Sequence, residues 1–277
     1  ADRWKRTSIS DSNMTLEVQQ GDFSVSTNPP EKLESGNFPK HYINLKGHST
    51  SLKTAQFAAL EQRIEDYRTL NHKNATLTFW ANGNAIGNFH VGRNDQGGEQ
   101  FVNIKDFRIE ETGTWKKYTA SIVVPEVTFG YNNLEDTYLS LIFHTAVKSG
   151  ERGWVGAADI NYGGILSIAQ VQLEEGSTAT PFEYLSVGEE LPLLQRYYWR
   201  DDDLSQNDGT NANDRNTLFF PVTMRKVPLT TNVRAGLTTL TGSGTPTIAT
   251  IGKRSLTWNN GGSQDQQATG WDVDAEL

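Results

Sequence analysis

Glu174-Glu175 and Glu189-Glu190 are the residues whose type could most directly do chemistry, because two carboxylates are the working pair of glycoside cleavage. Such a pair must flank the bond it breaks, and sequence neighbours seldom do. Both therefore read as solvated turn residues, while a pair assembled from distant segments stays open. The five histidines, His41, His48, His72, His90 and His144, show no metal-ligand spacing such as His-x-x-x-His. Asp201-Asp202-Asp203 and Asn207-Asp208-Gly209 are rich in oxygen but lack the alternating ligands of a calcium loop, and read as a solvated hairpin loop. No nucleophile elbow, zinc helix or phosphate loop is present: Gly242-Ser243-Gly244 has no following lysine or helix. Without cysteine, disulfides, thiolate metal sites and cysteine nucleophiles are excluded.

The aromatic inventory, seven Trp among it, points to a different chemistry. Sugars carry apolar C–H faces between their hydroxyls, so a sugar site sets aromatic platforms beside hydrogen-bonding side chains. Strand alternation places Tyr42, Asn44, Thr78, Trp80, His90, Tyr138, Ser140 and His144 on one face, opposite Ile43, Leu45, Phe79, Leu139 and Phe143. Of these, Trp80, Tyr42, Asn44, His90, Tyr138 and His144 are the candidate glycan-binding residues. A bulge would exchange Trp80 with Phe79, so a core position for Trp80 stays equally open. Trp4, Trp115, Trp154 and Trp199 sit at strand ends or junctions and read as structural, whereas Trp258 and Trp271 serve a second core or a subunit interface.

The elements that must position these residues are strands. Turn residues recur at short intervals (Gly21-Asp22, Asn82-Gly83-Asn84, Gly113), with β-branched and aromatic runs between them, which is the pattern of a sandwich or barrel. His41–Lys46, Ala75–Ala81, Tyr118–Val124, Thr137–His144 and Ile165–Leu173 alternate with the period of two of half-buried strands. Thr54–Leu70 reads instead as an amphipathic helix, with Phe57, Leu60, Ile64 and Tyr67 at helical spacing and Glu61, Glu65 and Arg68 between them. After residue 187 the pattern shifts. Residues 188–200 form a junction with a helical turn and an aromatic strand, and 201–277 form a small second β domain with weak strands near Thr217–Met224, Thr231–Leu240, Thr247–Ile251, Ser255–Trp258 and Gly270–Leu277. So short a domain has little core of its own, and association between copies would bury more.

The formal net charge of -8 opposes nucleic-acid binding, which needs clustered basic residues to displace counterions. No apolar run is long enough to span a bilayer, and the start Ala1-Asp2-Arg3-Trp4 has no signal-peptide pattern. The sequons at Asn13 and Asn74 then read as chance.

Several runs in order resemble a jelly-roll module of bacteriophage tail proteins: Ala1-Asp2-Arg3-Trp4, Leu60–Asp66, Thr76–Ala81, Thr114–Thr119 and, most specifically, Ile168–Glu183 followed by Gly188–Leu191 and Gln195–Tyr198. The resemblance covers residues 1 to 200, and Phe220–Arg225 with Asp274–Leu277 is similar to the small domain that often follows. It implies an all-β fold: a carbohydrate-binding-module-like jelly-roll β-sandwich over 1–187 with a small C-terminal β domain over 201–277, for tip contacts or trimerisation. It also implies a tail-fibre or receptor-binding protein of the virion, a homotrimer among other tail proteins, that recognises host surface polysaccharide; the missing catalytic set makes that recognition non-catalytic. A structural spacer without glycan contact and a depolymerase are the alternatives. No cofactor is expected: related hydrolase-associated modules often carry a structural calcium, but its usual closing-strand aspartate is replaced around Ala169-Gln170.

Overall fold

The computed structural model describes residues 4–9, 14–23, 39–49, 57–95, 98–110, 113–126, 137–147, 165–201, 205–207, 215–230, 233–239, 247–259 and 266–275. The chain divides into two compact units, Arg3–Tyr184 and Leu185–Leu277. The first is a two-layer sandwich of β1 (Trp4–Ile9), β2 (Met14–Asp22), β3 (His41–Ser49), β4 (Phe57–Glu65), β5 (Asn74–Gly83), β6 (Ala85–Asp95), β7 (Gly98–Ile109), β8 (Lys116–Val123), β9 (Thr137–Val147) and β10 (Ile165–Glu175). One sheet runs β1-β4-β9-β6-β7 and the other β2-β3-β10-β5-β8, with antiparallel pairing throughout. Because the chain passes repeatedly between the two sheets, the architecture is an all-β jelly roll.

The alternating strands supply the core as their sequence demands. Ile43 and Leu45 of β3, Leu77 and Phe79 of β5, Phe89 and Val91 of β6, and Leu139, Leu141 and Phe143 of β9 meet between the sheets. Phe79 stacks on Tyr118 at 5.3 Å and meets Phe143 edge-on at 5.2 Å, which ties the two layers together. Each such large apolar side chain contributes roughly 1.5–3 kcal/mol on burial. Gly83 ends β5 with φ 129°, and a Cβ there would stand 1.9 Å from the Ile165 carbonyl oxygen, so β5 and β10 can approach only over a glycine. In β10 the register slips between Ala169 and Gln172, and Gln170 takes φ 50°, a bulge inside the run Ile168–Glu183.

The helix expected over Thr54–Leu70 is not formed. Phe57–Glu65 is strand β4, paired with β1 and β9, and only Tyr67–Thr69 makes a single 3-10 turn, with Asp66 accepting from the Arg68 backbone N–H. Residues 54–56 lie outside the described residues. Within β4 the even positions Ala58, Leu60 and Ile64 enter the core, a period of two hidden beneath the helical spacing of Phe57, Leu60 and Ile64. Pairing on both sides decided the conformation, since a strand between two partners satisfies its backbone across the sheet.

The second unit opens with α1 (Val187–Gln195), whose Glu189 carboxylate accepts from the Ser186 backbone N–H at 2.9 Å and hydroxyl at 2.7 Å. Strands β11 (Tyr198–Asp201), β12 (Ser205–Asn207), β13 (Arg215–Phe219), β14 (Val233–Thr239), β15 (Thr247–Ile251), β16 (Ser255–Asn259) and β17 (Gln266–Asp274) follow. β17 pairs with β11, β12 and β14, while β13-β16-β15 forms a separate sheet. The core gathers Trp199, Phe220, Met224, Leu256, Trp258, Trp271 and Val273. Residues 188–200 fall within the second unit. Most of the polar loop between Asp201 and Asn216, Gly242-Ser243-Gly244, Asn13 and Trp154 lie outside the described residues.

Candidate functional site

The outward face of the β1-β4-β9-β6-β7 sheet is where polar chemistry collects. Alternation along β9 sends Leu139, Leu141 and Phe143 into the core and turns Tyr138, Ser140, Ile142 and His144 outward. Register then lines up rows across the sheet. Arg63 of β4, Ser140 of β9, His90 of β6 and Asn103 of β7 form one row, and Glu61, Ile142, Asn88 and Asp106 form the next.

The centre of this face is an ion pair. The Arg63 Nε donates to Glu61 Oε1 at 2.7 Å and its terminal nitrogen to Oε2 at 3.3 Å, a two-point grip that fixes the guanidinium plane. Ser140 donates its hydroxyl to Glu61 Oε1 at 2.8 Å. The Arg63 Cζ lies 4.3 Å from the centre of the Tyr138 ring, a cation–π contact. Gly92 lets that ring lie close, since a Cβ there would stand 2.5 Å from it. Burial pushes the Glu61 carboxyl up, but Arg63 and the Ser140 hydroxyl outweigh it and hold the group below its ordinary range. It is a carboxylate.

Beside the pair, Asn88 donates its amide to Asn103 Oδ1 at 2.7 Å and to Asp106 Oδ1 at 3.1 Å, and Asn103 donates to the same Asp106 oxygen at 3.0 Å. His144, fully buried, is pushed down to about 3 by desolvation first and by His90 second, against the opposing pull of Glu61 and Asp106. At neutral pH it is an uncharged imidazole against the Phe57 ring, centroids 5.8 Å apart. An apolar patch of Phe57, Ala59, Ile86, Ile142 and Val147 completes the face.

Depth separates a floor from a rim. Glu61, His90, Ser140, Tyr138 and His144 are each at most 1% exposed, whereas the Arg63 side chain is 15% exposed and Asn103 is open to solvent. The floor holds and orients, and the rim presents donors and an acceptor. Among the described residues no group of three or more His, Cys, Asp or Glu is placed to hold a metal ion.

Of the candidate residues read from sequence, His90, Tyr138 and His144 share this face, with Ser140 between them. Tyr42, Asn44 and Trp80 do not: they lie on the outward face of the β2-β3-β10-β5-β8 sheet, on the far side of the sandwich. The inward partners Ile43, Leu45, Phe79, Leu139 and Phe143 do face one core, but from two opposed layers, so their alternates point in opposite directions. Trp80 is half-buried and faces outward, while Phe79 is the core residue. The sequence reading missed Glu61 and Arg63, because a helix was expected there, and Asn88, Asn103 and Asp106. The signal available was the period-two run Ala58, Leu60, Ile64, which turns Glu61 and Arg63 to the opposite side.

No family model and no curated protein matches the chain. Among solved structures it is similar to the enzymatically active domain of tailspike protein 4 of bacteriophage CBA120, at 19% identity and TM-score 0.35, over 62% of this chain. The chain spans only 19% of that one. It is also similar to a family 11 carbohydrate-binding module from Clostridium thermocellum in complex with a β-1,3-1,4-mixed-linked tetrasaccharide, at 11% identity and TM-score 0.37, over 64% of this chain and 91% of the module. A xylan-binding family 22 module from Paenibacillus barcinonensis matches at 16% identity and TM-score 0.32, over 63% of this chain and 92% of its own.

Proposed function

We propose that the first unit binds a glycan without cleaving it, through the outward face of the β1-β4-β9-β6-β7 sheet, and that the chain is a receptor-binding component of a phage tail that attaches to host surface polysaccharide. One observation carries the glycan reading: a guanidinium held in plane by the Glu61 carboxylate and laid against Tyr138, at the rim of a polar floor. A charged pair so deep is costly to maintain for stability alone, whereas a fixed planar donor beside an aromatic ring suits sugar hydroxyls and C–H faces. The placement on a phage tail is supported by the ordered sequence runs from Ala1 to Tyr198.

Non-cleavage is supported by spacing. Glu61 and Asp106 are carboxylates of one row, but they stand three strand spacings apart, roughly 14 Å at about 4.8 Å each. Glycosidase pairs work at about 5–9.5 Å. Three of the four adjacent carboxylates are also occupied elsewhere: Glu174 accepts from the Thr180 backbone N–H at 2.6 Å, Glu175 meets the Lys73 ammonium at 2.7 Å, and Glu189 caps α1.

The test is affinity electrophoresis of the full chain through gels containing purified host surface polysaccharide. Arg63→Ala is expected to weaken retardation about 10- to 100-fold in affinity, the range of a hydrogen bond to a charged group. Lys73→Ala, a surface change in the turn before β5 of the other sheet, is expected to leave it unaltered. Wild-type protein that is not retarded would mark the sandwich as a spacer, and new reducing ends in the polysaccharide would mark a depolymerase.

A further inference from the structure

The residues that the split of the sandwich leaves behind form a surface of their own. Tyr42, half-buried on the outward face of β3, has its ring over Gly21 of β2, where a Cβ would stand 2.3 Å from it. Phe23, just past the end of β2, meets Tyr42 at 4.8 Å, and Trp115, just before β8, meets Phe23 at 5.0 Å and Tyr42 at 5.4 Å. All three rings are half-buried. Each ring touches the other two, so they form a cluster that joins residues next to β2 and β8, the opposite edges of the five-stranded sheet. Trp115 sits at the strand end where sequence put it, and its ring joins this cluster.

Hydrogen-bonding side chains adjoin it. Asn44 follows Tyr42 on the same face and accepts from the Ser167 hydroxyl at 3.4 Å. Half-buried Trp80 faces outward with exposed Lys117 as its cross-strand neighbour. Between Tyr42 on β3 and Trp80 on β5 runs the β10 bulge, where Gln170 is held at φ 50° with its amide nitrogen buried and without a hydrogen-bond partner among the described residues. Bulges and unusual backbone angles persist where they re-aim groups for a purpose, and a buried amide without a partner costs about 1–3 kcal/mol.

A closed apolar cluster would hide its rings and exclude polar neighbours. A protein interface would likewise place its apolar residues at the centre and deplete charge there. Here every one of these aromatic residues is partly exposed, with the Asn44 amide and Ser167 hydroxyl on the same face and Lys117 beside Trp80. That mixture matches the alternation of C–H faces and hydroxyls along a sugar chain. We infer that the outward face of the β2-β3-β10-β5-β8 sheet is a second glycan-binding surface, on which Phe23, Tyr42, Trp115 and Trp80 carry pyranose rings and Asn44, Ser167 and Lys117 meet their hydroxyls. It lies on the side of the sandwich opposite Arg63, so one unit would hold two chains or two stretches of one.

The experiment uses the full chain labelled with 5-fluorotryptophan and followed by fluorine NMR, with the Trp115 signal assigned by its loss in Trp115→Phe. The probes are a mixed-linkage β-glucan hexasaccharide, a xylan hexasaccharide and an oligosaccharide of the host surface polysaccharide. At least one is expected to shift the Trp115 signal in a saturable way, insensitive to added salt, and to do so equally in Arg63→Ala. Tyr42→Ala is expected to weaken that titration at least tenfold while the unfolding transition of the first unit remains cooperative. The proposal is overturned if no probe moves the Trp115 signal. It is equally overturned if the shift vanishes in Arg63→Ala, which would make the signal an echo of the first site. Retardation unchanged in Arg63→Ala, with the Trp115 response retained, would sink the proposed function alone.

Discussion

At the residue scale, His144 shows how position sets chemistry. An imidazole facing outward from a sheet would ordinarily titrate near neutrality, but here burial shuts it off from solvent and holds it down to about 3. The folded state therefore binds the proton less readily than the unfolded chain, whose histidine titrates at about 6.5. Between those values the unfolded state gains protons that the folded state refuses, so stability falls as pH drops from about 6.5 towards 3. Glu61 acts in the same direction lower down, since a carboxyl held below 4.5 loses its contribution as pH falls through that range. Urea melts of the protein from pH 7 to pH 4 should show the first unit losing stability with a slope approaching about 1.4 kcal/mol per pH unit for the histidine alone. In His144→Gln that slope should flatten between pH 6 and pH 5, and an unchanged slope would place the proton elsewhere.

At the element scale, β10 does more than close the sandwich. Its last turn grips the segment that leaves it: Glu174 accepts from Thr180 at the backbone N–H (2.6 Å) and hydroxyl (2.5 Å), and from the Gln172 amide at 2.9 Å. Gln172 in turn accepts from the Glu183 N–H at 2.8 Å and donates to the Pro181 carbonyl at 3.2 Å. The segment Gly176–Glu183 is thereby laid along the first unit, which explains why the run Ile168–Glu183 reads as one motif. Burial pushes the Glu174 carboxyl up, but the Thr180 and Gln172 donors prevail and hold it low. The grip is complete above the ordinary value of 4.5 and loosens as pH falls beneath it. Glu174→Ala should speed cleavage after Glu183 by a glutamate-specific protease at neutral pH several-fold. Equal rates in both proteins would show that the segment is held by other means.

At the scale of the whole molecule, two separate cores predict two unfolding events. The first unit packs its interior between two five-stranded sheets, whereas the second depends on a small cluster around Trp258 and Trp271, 5.8 Å apart. Calorimetry of the full chain should resolve two transitions, with the one belonging to the second unit identified by its absence from a fragment ending at Tyr184. If copies associate through the second unit, as its modest core invites, that transition alone should rise with protein concentration. A concentration-independent pair of transitions, with a monomer by light scattering, would refute association.

The sequence by itself determined the all-β class, the strands with clear alternation and the exclusion of thiolate chemistry, because period-two patterning and composition are local properties that every strand carries whatever it pairs with. It determined that Ile43, Leu45, Phe79, Leu139 and Phe143 face inward. It could not determine that they face inward from opposite layers, since alternation tells in from out but not which sheet a strand joins. That is why Tyr42, Asn44 and Trp80 part company with His90, Tyr138 and His144. Nor could it decide β4, where Phe57, Leu60 and Ile64 fit both a helix and a strand: only pairing with β1 and β9 removed the ambiguity and turned Glu61 and Arg63 towards Ser140 and Tyr138. The polar floor and the ring cluster both exist through contacts between segments distant in sequence, and such contacts are fixed by topology.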